Sequence, residues 1–246
     1  MDEPVGRAAR GLANAFPAPA SLRGVARWRR ASGAPDMASL VRDLKEEGLV
    51  RRPEVERALL SADRVLFVPP SEAGSAYEDA PLSIGHEQTI SAPHMVAIMV
   101  EALDARAGMK VLEVGGGSGW HAAVIASLVR PGGRVISVER IAPLAEAARK
   151  NLERAGFADA VTVVVADGSV GFPAEAPFDR ISVAAAAPSI PQALVDQLRP
   201  EGGKLLVPVG PLSVQDLTEV ERGGGRVRKR SLGGCVFVPL VGVEGY

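Results

Sequence analysis

From Lys110 onward the chain alternates short apolar, β-branched runs with amphipathic stretches, the apolar positions of which recur roughly every three to four residues. Lys110–Val114, Arg134–Val138, Val161–Val165, Arg180–Ala184 and Lys204–Val209 read as strands. Trp120–Val129, Pro143–Ala155 and Gln192–Leu198 read as helices, the second ended by Gly156. Strands that are apolar along nearly their whole length are buried on both faces. The alternation therefore predicts an α/β fold with a doubly wound, mostly parallel sheet. Ahead of it, Ser39–Glu47 predicts an amphipathic helix closed by Gly48, and Glu54–Ser61 a second with Pro53 at its first position. Ala92–Leu103 predicts a third, with Val96, Met99, Val100 and Leu103 on one face. The stretch from Val68 to about Glu87 is broken by Pro and Gly and is expected to be a loop. At the far end, Gln215–Glu221 and Arg226–Ser231 flank Gly223–Gly225 as a hairpin, and Val236–Leu240 is expected to be a further strand.

The first 36 residues break this pattern. They hold six Arg among Ala and Pro and no Lys, which predicts a mobile, mildly basic extension; translation from Met37 is an equal alternative. Residues 37–246 then form one domain, with a helical cap over about 37–103. The 47% hydrophobic content of 246 residues supports one sizeable core. A net charge of −1 lacks the basic excess of nucleic-acid binders. One cysteine, Cys235, excludes a disulfide within the chain and a Cys/His zinc cluster. Neither a signal-peptide pattern nor an apolar run of about 18 residues is present. The expectation is a cytoplasmic monomer with no membrane or nucleic-acid partner.

The candidate chemistry starts at Val111–Gly119, a strand running into glycines and then a helix. Glycines let a ligand approach the backbone, and a helix start presents free N–H groups, although tight strand–helix turns also use Gly for structure alone. Glu139 ends the next strand, on the order of 20 residues past the glycines, where a carboxylate can accept from two ribose hydroxyls; capping the following helix is the alternative. Asp167–Gly168 ends the third strand, where an acid and a close backbone can recognise adenine. A dinucleotide site needs G-x-G-x-x-G, and here Trp120 fills the last position. Glu113 stands just before the turn, where a carboxylate would repel a pyrophosphate but suit the cationic methionine end of S-adenosylmethionine. This favours a methyltransferase over an NAD-dependent oxidoreductase.

Asp63–Pro69, Ala76–Asp79, Pro81–Gly85 and the string Gln88–Met95 (QTISAPHM) resemble protein-L-isoaspartate O-methyltransferases. So do Val111–Gly119, Val138–Arg140, Asp167–Gly168, Ala176–Asp179, Gln197–Leu198, Leu206–Gly210, Gln215 and Phe237–Leu240, in the same order. The resemblance covers about residues 37 to 243. It implies a doubly wound sheet with an N-terminal helical cap and a rearranged final strand order. It implies S-adenosyl-L-methionine as cofactor and methyl transfer to the free α-carboxylate of L-isoaspartyl residues in damaged proteins and peptides, which starts their repair through a succinimide. By motif match Ser91 is the active-site serine, and Ile84, Gly85, His86 and Glu87 flank the cofactor. Gly115, Gly117, Glu139, Asp167 and Gly168 contact it, with Glu113 and Gln215 also expected there, and Ile90, Ser91 and Val209 wall the isoaspartyl group. A carboxylate is already a nucleophile at neutral pH, so such a site needs positioning rather than a base.

Three positions depart from the pattern: Glu87 where a small or neutral residue is usual, Gly116 where Thr is frequent, and Trp120 where Tyr is frequent. Glu87 adds a negative charge that would oppose a carboxylate substrate if it faced the site. Ser91 also fits a helix N-cap. His86 and His94 read as polar contacts, His121 as a helix-start residue, Cys235 as a small core residue, and Arg226, Arg228 and Arg230 as one solvated strand face. Alternative functions are a peptide-tailoring aspartate O-methyltransferase and a non-catalytic nucleoside-binding module.

Overall fold

The computed structural model describes residues 34–246; the extension expected over residues 1–36 lies outside them except for its last three. Helix α1 (Met37–Glu46) starts at Asp36, the carboxylate of which accepts from Ser39 N at 2.8 Å. It packs with α2 (Pro53–Ser61) and α3 (Pro93–Leu103) as the predicted cap. The rest follows the predicted alternation: β3 (Lys110–Val114), α4 (Trp120–Val129), β4 (Arg134–Glu139), α5 (Ala142–Arg154), β5 (Val161–Val165), β6 (Arg180–Val183), α6 (Gln192–Asp196), β7 (Gly203–Val209), β8 (Gln215–Gly223) and β9 (Arg226–Cys235). The seven strands form one sheet in the order β5-β4-β3-β6-β7-β8-β9, parallel up to β7 and antiparallel from there.

Side chains alternate across each strand with a period of two. Val111 and Val135 face the cap helices, α4 and α5, while Leu112, Val114, Ile136 and Val138 face α6 and Leu240. Both faces are covered, which is why the strands read as continuous apolar runs. Arg226, Arg228 and Arg230 are exposed on β9, the edge strand, where charge discourages pairing with another chain. No helix among the described residues is long and apolar enough to cross a membrane.

Two expectations are corrected. The stretch from Val68 to Glu87 is not a plain loop: a 3-10 turn (Pro70–Ser75) leads to an antiparallel hairpin of β1 (Leu82–Gly85) and β2 (Gln88–Ile90). Its tip places His86 and Glu87 at φ +52° and +59°. The usual Asn-Gly mark of such turns is missing, so the sequence does not announce it. Val236–Leu240 is not a strand either. Pro239 has no N–H to give a ladder, and the segment makes one bridge to Ala186, which donates to Val238 O and whose carbonyl accepts from Leu240 N.

The irregular segment between α2 and α3 is held by one side chain. Arg64 is wholly buried. Its guanidinium donates to four carbonyls, those of Ala76, Glu78, Ala80 and Ser91, at 2.8 to 3.1 Å. Its flat face lies 5.1 Å from the Trp120 ring centroid, and the indole N–H of Trp120 donates to Ala62 O. Burial pushes the guanidinium down to about 10, so it stays cationic at neutral pH. Replacing a buried ion pair by apolar groups can be harmless, but here the partners are backbone carbonyls that would remain, desolvated and unpaired. Arg64→Met is expected to cost roughly 3–5 kcal/mol in urea unfolding. Arg64→Lys should recover little of it, since one ammonium cannot span four carbonyls.

Candidate active site

The chain runs outward from β3 through β4 to β5, then returns to the other side of β3 as β6. Ligands bind doubly wound sheets at such a reversal, beyond the carboxyl ends of the strands. A cleft opens there. Gly115–Ser118 after β3, Glu139–Ile141 after β4, Gly168 after β5 and Ala184–Ala185 after β6 line one side; Gln88–Ser91 and Val238–Val241 line the others. Gly115 turns the chain at φ +88°, a conformation that needs glycine. At Gly116 a Cβ would lie 2.5 Å from Ser137 Oγ. A side chain at Gly116 would therefore require the Ser137 hydroxyl to turn away from its present position.

Glu139 is 6% exposed at the cleft wall. Its two oxygens accept from Gly117 N at 2.9 Å and Ile141 N at 2.8 Å. One carboxylate thus fixes both the glycine turn and the entry to α5, and each oxygen keeps a lone pair for a further donor. Ser91 lines the cleft across from it. The cap of α3 is Ala92, with no side-chain cap bond, so the Ser91 hydroxyl does not cap the helix. Its carbonyl is one of the four held by Arg64. Ile84 roofs the turn, its Cδ1 3.4 Å from where a Cβ on Gly117 would stand.

The structure brings Ile90, Ser91, Gly115, Gly117, Glu139 and Gly168 together in the lining and leaves the other expected residues outside it. Gly85, His86 and Glu87 sit exposed on the hairpin. Gln215 is buried between Pro211 O, to which its amide donates, and Phe237 N, from which it accepts. Val209 bridges Ala187. Asp167 accepts from Ser169 N, Ser169 Oγ and Val243 N, which hold its carboxyl below the usual range against the effect of burial. His94 meets Asp79, with Nδ1 2.9 Å from Oδ1 and its backbone N donating to the same oxygen. Trp120 is a core residue under Arg64 as well as a lining residue. The sequence reading missed Arg140, Ala184–Ala185, Val238–Val241 and His121 as lining residues. For Arg140 and Ala184–Ala185 their place at strand ends, beside Glu139 or just past Val183, was the available signal.

Glu113 is the largest correction. It does not face the cleft as a carboxylate but lies wholly buried beneath the turn. Ser137 Oγ donates to its Oε2 at 2.5 Å, and the Ala122 amide at the start of α4 also points at it. Burial pushes the group up to about 8, with nearby Glu139 adding to the rise, so it is a neutral acid at pH 7.

A mostly parallel seven-stranded sheet with an antiparallel edge, a glycine turn after its first parallel strand and an acid ending the second is the architecture of class I methyltransferases. A family model described as protein-L-isoaspartate(D-aspartate) O-methyltransferase matches residues 36–245, and the chain belongs to that family. A protein-L-isoaspartate O-methyltransferase of Methanopyrus kandleri is 55% identical over 208 residues, covering 84% of this chain and 92% of the relative. One from Hyperthermus butylicus is 54% identical over 215 residues, covering 84% and 89%. Among solved structures, a Plasmodium falciparum chain assigned to the same activity, in complex with S-adenosyl-L-homocysteine, superposes with a TM-score of 0.76 at 29% identity, covering 84% of this chain and 98% of that one.

The buried acid has a measurable consequence. Its folded-state value is raised from 4.5 to about 8, so its contribution to stability is full below about 4.5 and is lost as pH rises toward 8. Burial lowers His121 to about 4, so that group acts in the opposite sense and is neutral in both states above pH 7. Between about pH 7 and 8, wild type is expected to lose stability relative to Glu113→Gln, with the difference levelling off above, as read by urea unfolding. A flat difference would mean Glu113 is ionised in the fold.

Proposed function

We infer that the chain methylates the free α-carboxylate of L-isoaspartyl residues in damaged proteins and peptides, with S-adenosyl-L-methionine as donor. The observation that carries this is the placing of Ser91, backbone-clamped by Arg64 and hydroxyl uncommitted, across one cleft from the glycine turn and Glu139. The family match over residues 36–245 supports it. So does the superposed Plasmodium falciparum chain with its S-adenosyl-L-homocysteine.

The cofactor, when bound, supplies an electrophilic methyl group. The remaining lone pairs of Glu139 are suited to ribose hydroxyls. Ile90 gives an apolar wall beside Ser91, and the Ser91 hydroxyl can donate to the substrate carboxylate and orient it. No residue has to remove a proton, because the nucleophile is already an anion. Val238–Val241 and Gln88–Ile90 flank the cleft and thin the water around reacting groups, which favours transfer between oppositely charged partners. Glu87 stands at the hairpin tip, outside the lining, and gives no charge-based reason to prefer a dedicated peptide-tailoring role.

Two outcomes are expected. Full-length protein should methylate an isoaspartyl peptide and leave its aspartyl twin unmodified; equal rates on both would overturn the assignment. Ser91→Ala should lower kcat while leaving S-adenosylhomocysteine affinity close to wild type, whereas Glu139→Ala should weaken that affinity in calorimetry by about tenfold or more, through hydrogen bonds of roughly 1.5–3 kcal/mol each.

A further inference from the structure

The segment Val238–Tyr246 is tied down almost entirely by polar contacts. Leu240 is its one buried apolar side chain, while Val241, Val243 and Tyr246 are 39%, 83% and 42% exposed. Its first part, Val238–Val241, lines the cleft. Residues 242–246 then leave the lining and close into a loop, in which Gly245 N donates to Gly242 O and Tyr246 N to Leu240 O. Four bonds fasten this loop to three parts of the domain. Just past β5, Val243 N donates to Asp167 Oδ2 at 2.9 Å and Glu244 N to Ser169 Oγ at 3.0 Å. In α6, Ala193 N donates to Glu244 Oε2 at 3.1 Å, and after β7 the Gly210 carbonyl accepts from the Tyr246 hydroxyl. Gly242 fits there only as glycine, because a Cβ would overlap Asp167 Oδ1 and Ser169 Oγ.

We propose that Val241–Tyr246 is a latch on the cofactor cleft, and that Asp167 is the positioning residue that holds it shut through the Val243 amide. This deepens the function proposed above and rests on it. The motif match places Asp167 against the cofactor. In the structure it stands outside the cleft lining, and its oxygens accept from Ser169 N, Ser169 Oγ and Val243 N. Its neighbour Gly168 does line the cleft, and so does Val241, two positions ahead of Val243. The bond from Val243 to Asp167 therefore couples two cleft walls that are far apart in sequence, with a residue of each wall within two positions of it.

The balance of contacts makes this segment open before the domain does. Local opening is easiest where few apolar groups are buried and the backbone hydrogen bonds lie near solvent. Beyond Leu240 no side chain of the segment is buried, so the four polar anchors set the cost of opening. Two of them end on carboxylates, Asp167 and Glu244, and such bonds are stronger than those between neutral groups. Ser169 Oγ donates to Asp167 Oδ1 at 2.7 Å and accepts from Glu244 N, so the second anchor is oriented by the same acid as the first. A ligand in the cleft that covers Val241 adds apolar burial to the closed form alone and so slows opening. An open latch in turn lets the ligand leave faster. The two effects are one coupling seen from either side.

The test measures release of S-adenosylhomocysteine from the full chain, from a chain ending at Val241, from Asp167→Ala, and from the two changes combined. Ending the chain at Val241 is expected to speed release by about tenfold or more, the contribution of one charge-assisted hydrogen bond. Asp167→Ala in the full chain is expected to do the same, and in the shortened chain to add less than about twofold. Release unchanged by the shortening would overturn the latch. An effect of Asp167→Ala as large in the shortened chain as in the full one would mean that Asp167 acts on the ligand directly, and would overturn its positioning role. A full chain that does not bind S-adenosylhomocysteine would overturn the cofactor reading and this inference with it. Should the variants fail to fold, amide hydrogen exchange in the unaltered full chain decides. The Val243 and Glu244 amides are expected to exchange well before those of β3, and to slow when S-adenosylhomocysteine is bound. The same rate at these two amides with and without the ligand would overturn the proposal.

Discussion

Much of the site depends on where one buried cation sends its four terminal N–H groups. Arg64 reaches the carbonyls of Ala76, Glu78, Ala80 and Ser91 from a position against Trp120. The segment it gathers has little regular structure of its own, so its backbone acceptors need a donor from elsewhere. A guanidinium supplies several donors in a fixed plane, which turns a flexible stretch into a rigid wall. Ser91 inherits its place in the cleft from that arrangement, and Trp120 ties the same cluster to the helix that follows the glycine turn.

The glycine turn is fixed by acids doing different things on opposite sides. Glu139 is at the cleft wall and holds Gly117 and Ile141 by their amides. Glu113 is beneath, wholly buried and neutral through that burial, with Ser137 donating to it. The same residue type therefore serves as an acceptor at the cleft wall in one place and as a neutral core group on the adjacent strand. Depth decides which, since the two share strand parity and Glu139 stands further along at the cleft wall.

The sheet and the cap were legible because burial on both faces writes apolar runs, and helix ends write Pro and Gly, as at Pro53, Pro93, Gly48 and Gly156. Gly115, Gly117, Glu139, Gly168, Ile90 and Ser91 were legible as lining because strand ends and a distinctive motif mark them. Direction was harder to read. Motif matching gives a position but not the way a side chain points, so Gln215 and Val209 were expected at a site they support from outside. Period-two alternation with Val111 could have turned Glu113 toward the core. Nothing local marks Arg64, since a lone Arg beside Val and Leu reads as a surface residue, and its partners are up to 27 residues away.

The wall formed by Val238–Val241 continues into a tail that folds back on the domain. Val243 N reaches Asp167, Glu244 takes the Ala193 amide, and Tyr246 donates to the Gly210 carbonyl. The cap and the Arg64 cluster can therefore assemble early in synthesis, whereas the cleft gains this side only after every other element has emerged. A nascent chain halted before that stage would carry the clamp for Ser91 and the glycine turn on an open-sided groove. The order of manufacture thus keeps the site incomplete until the rest of the domain is ready to close it.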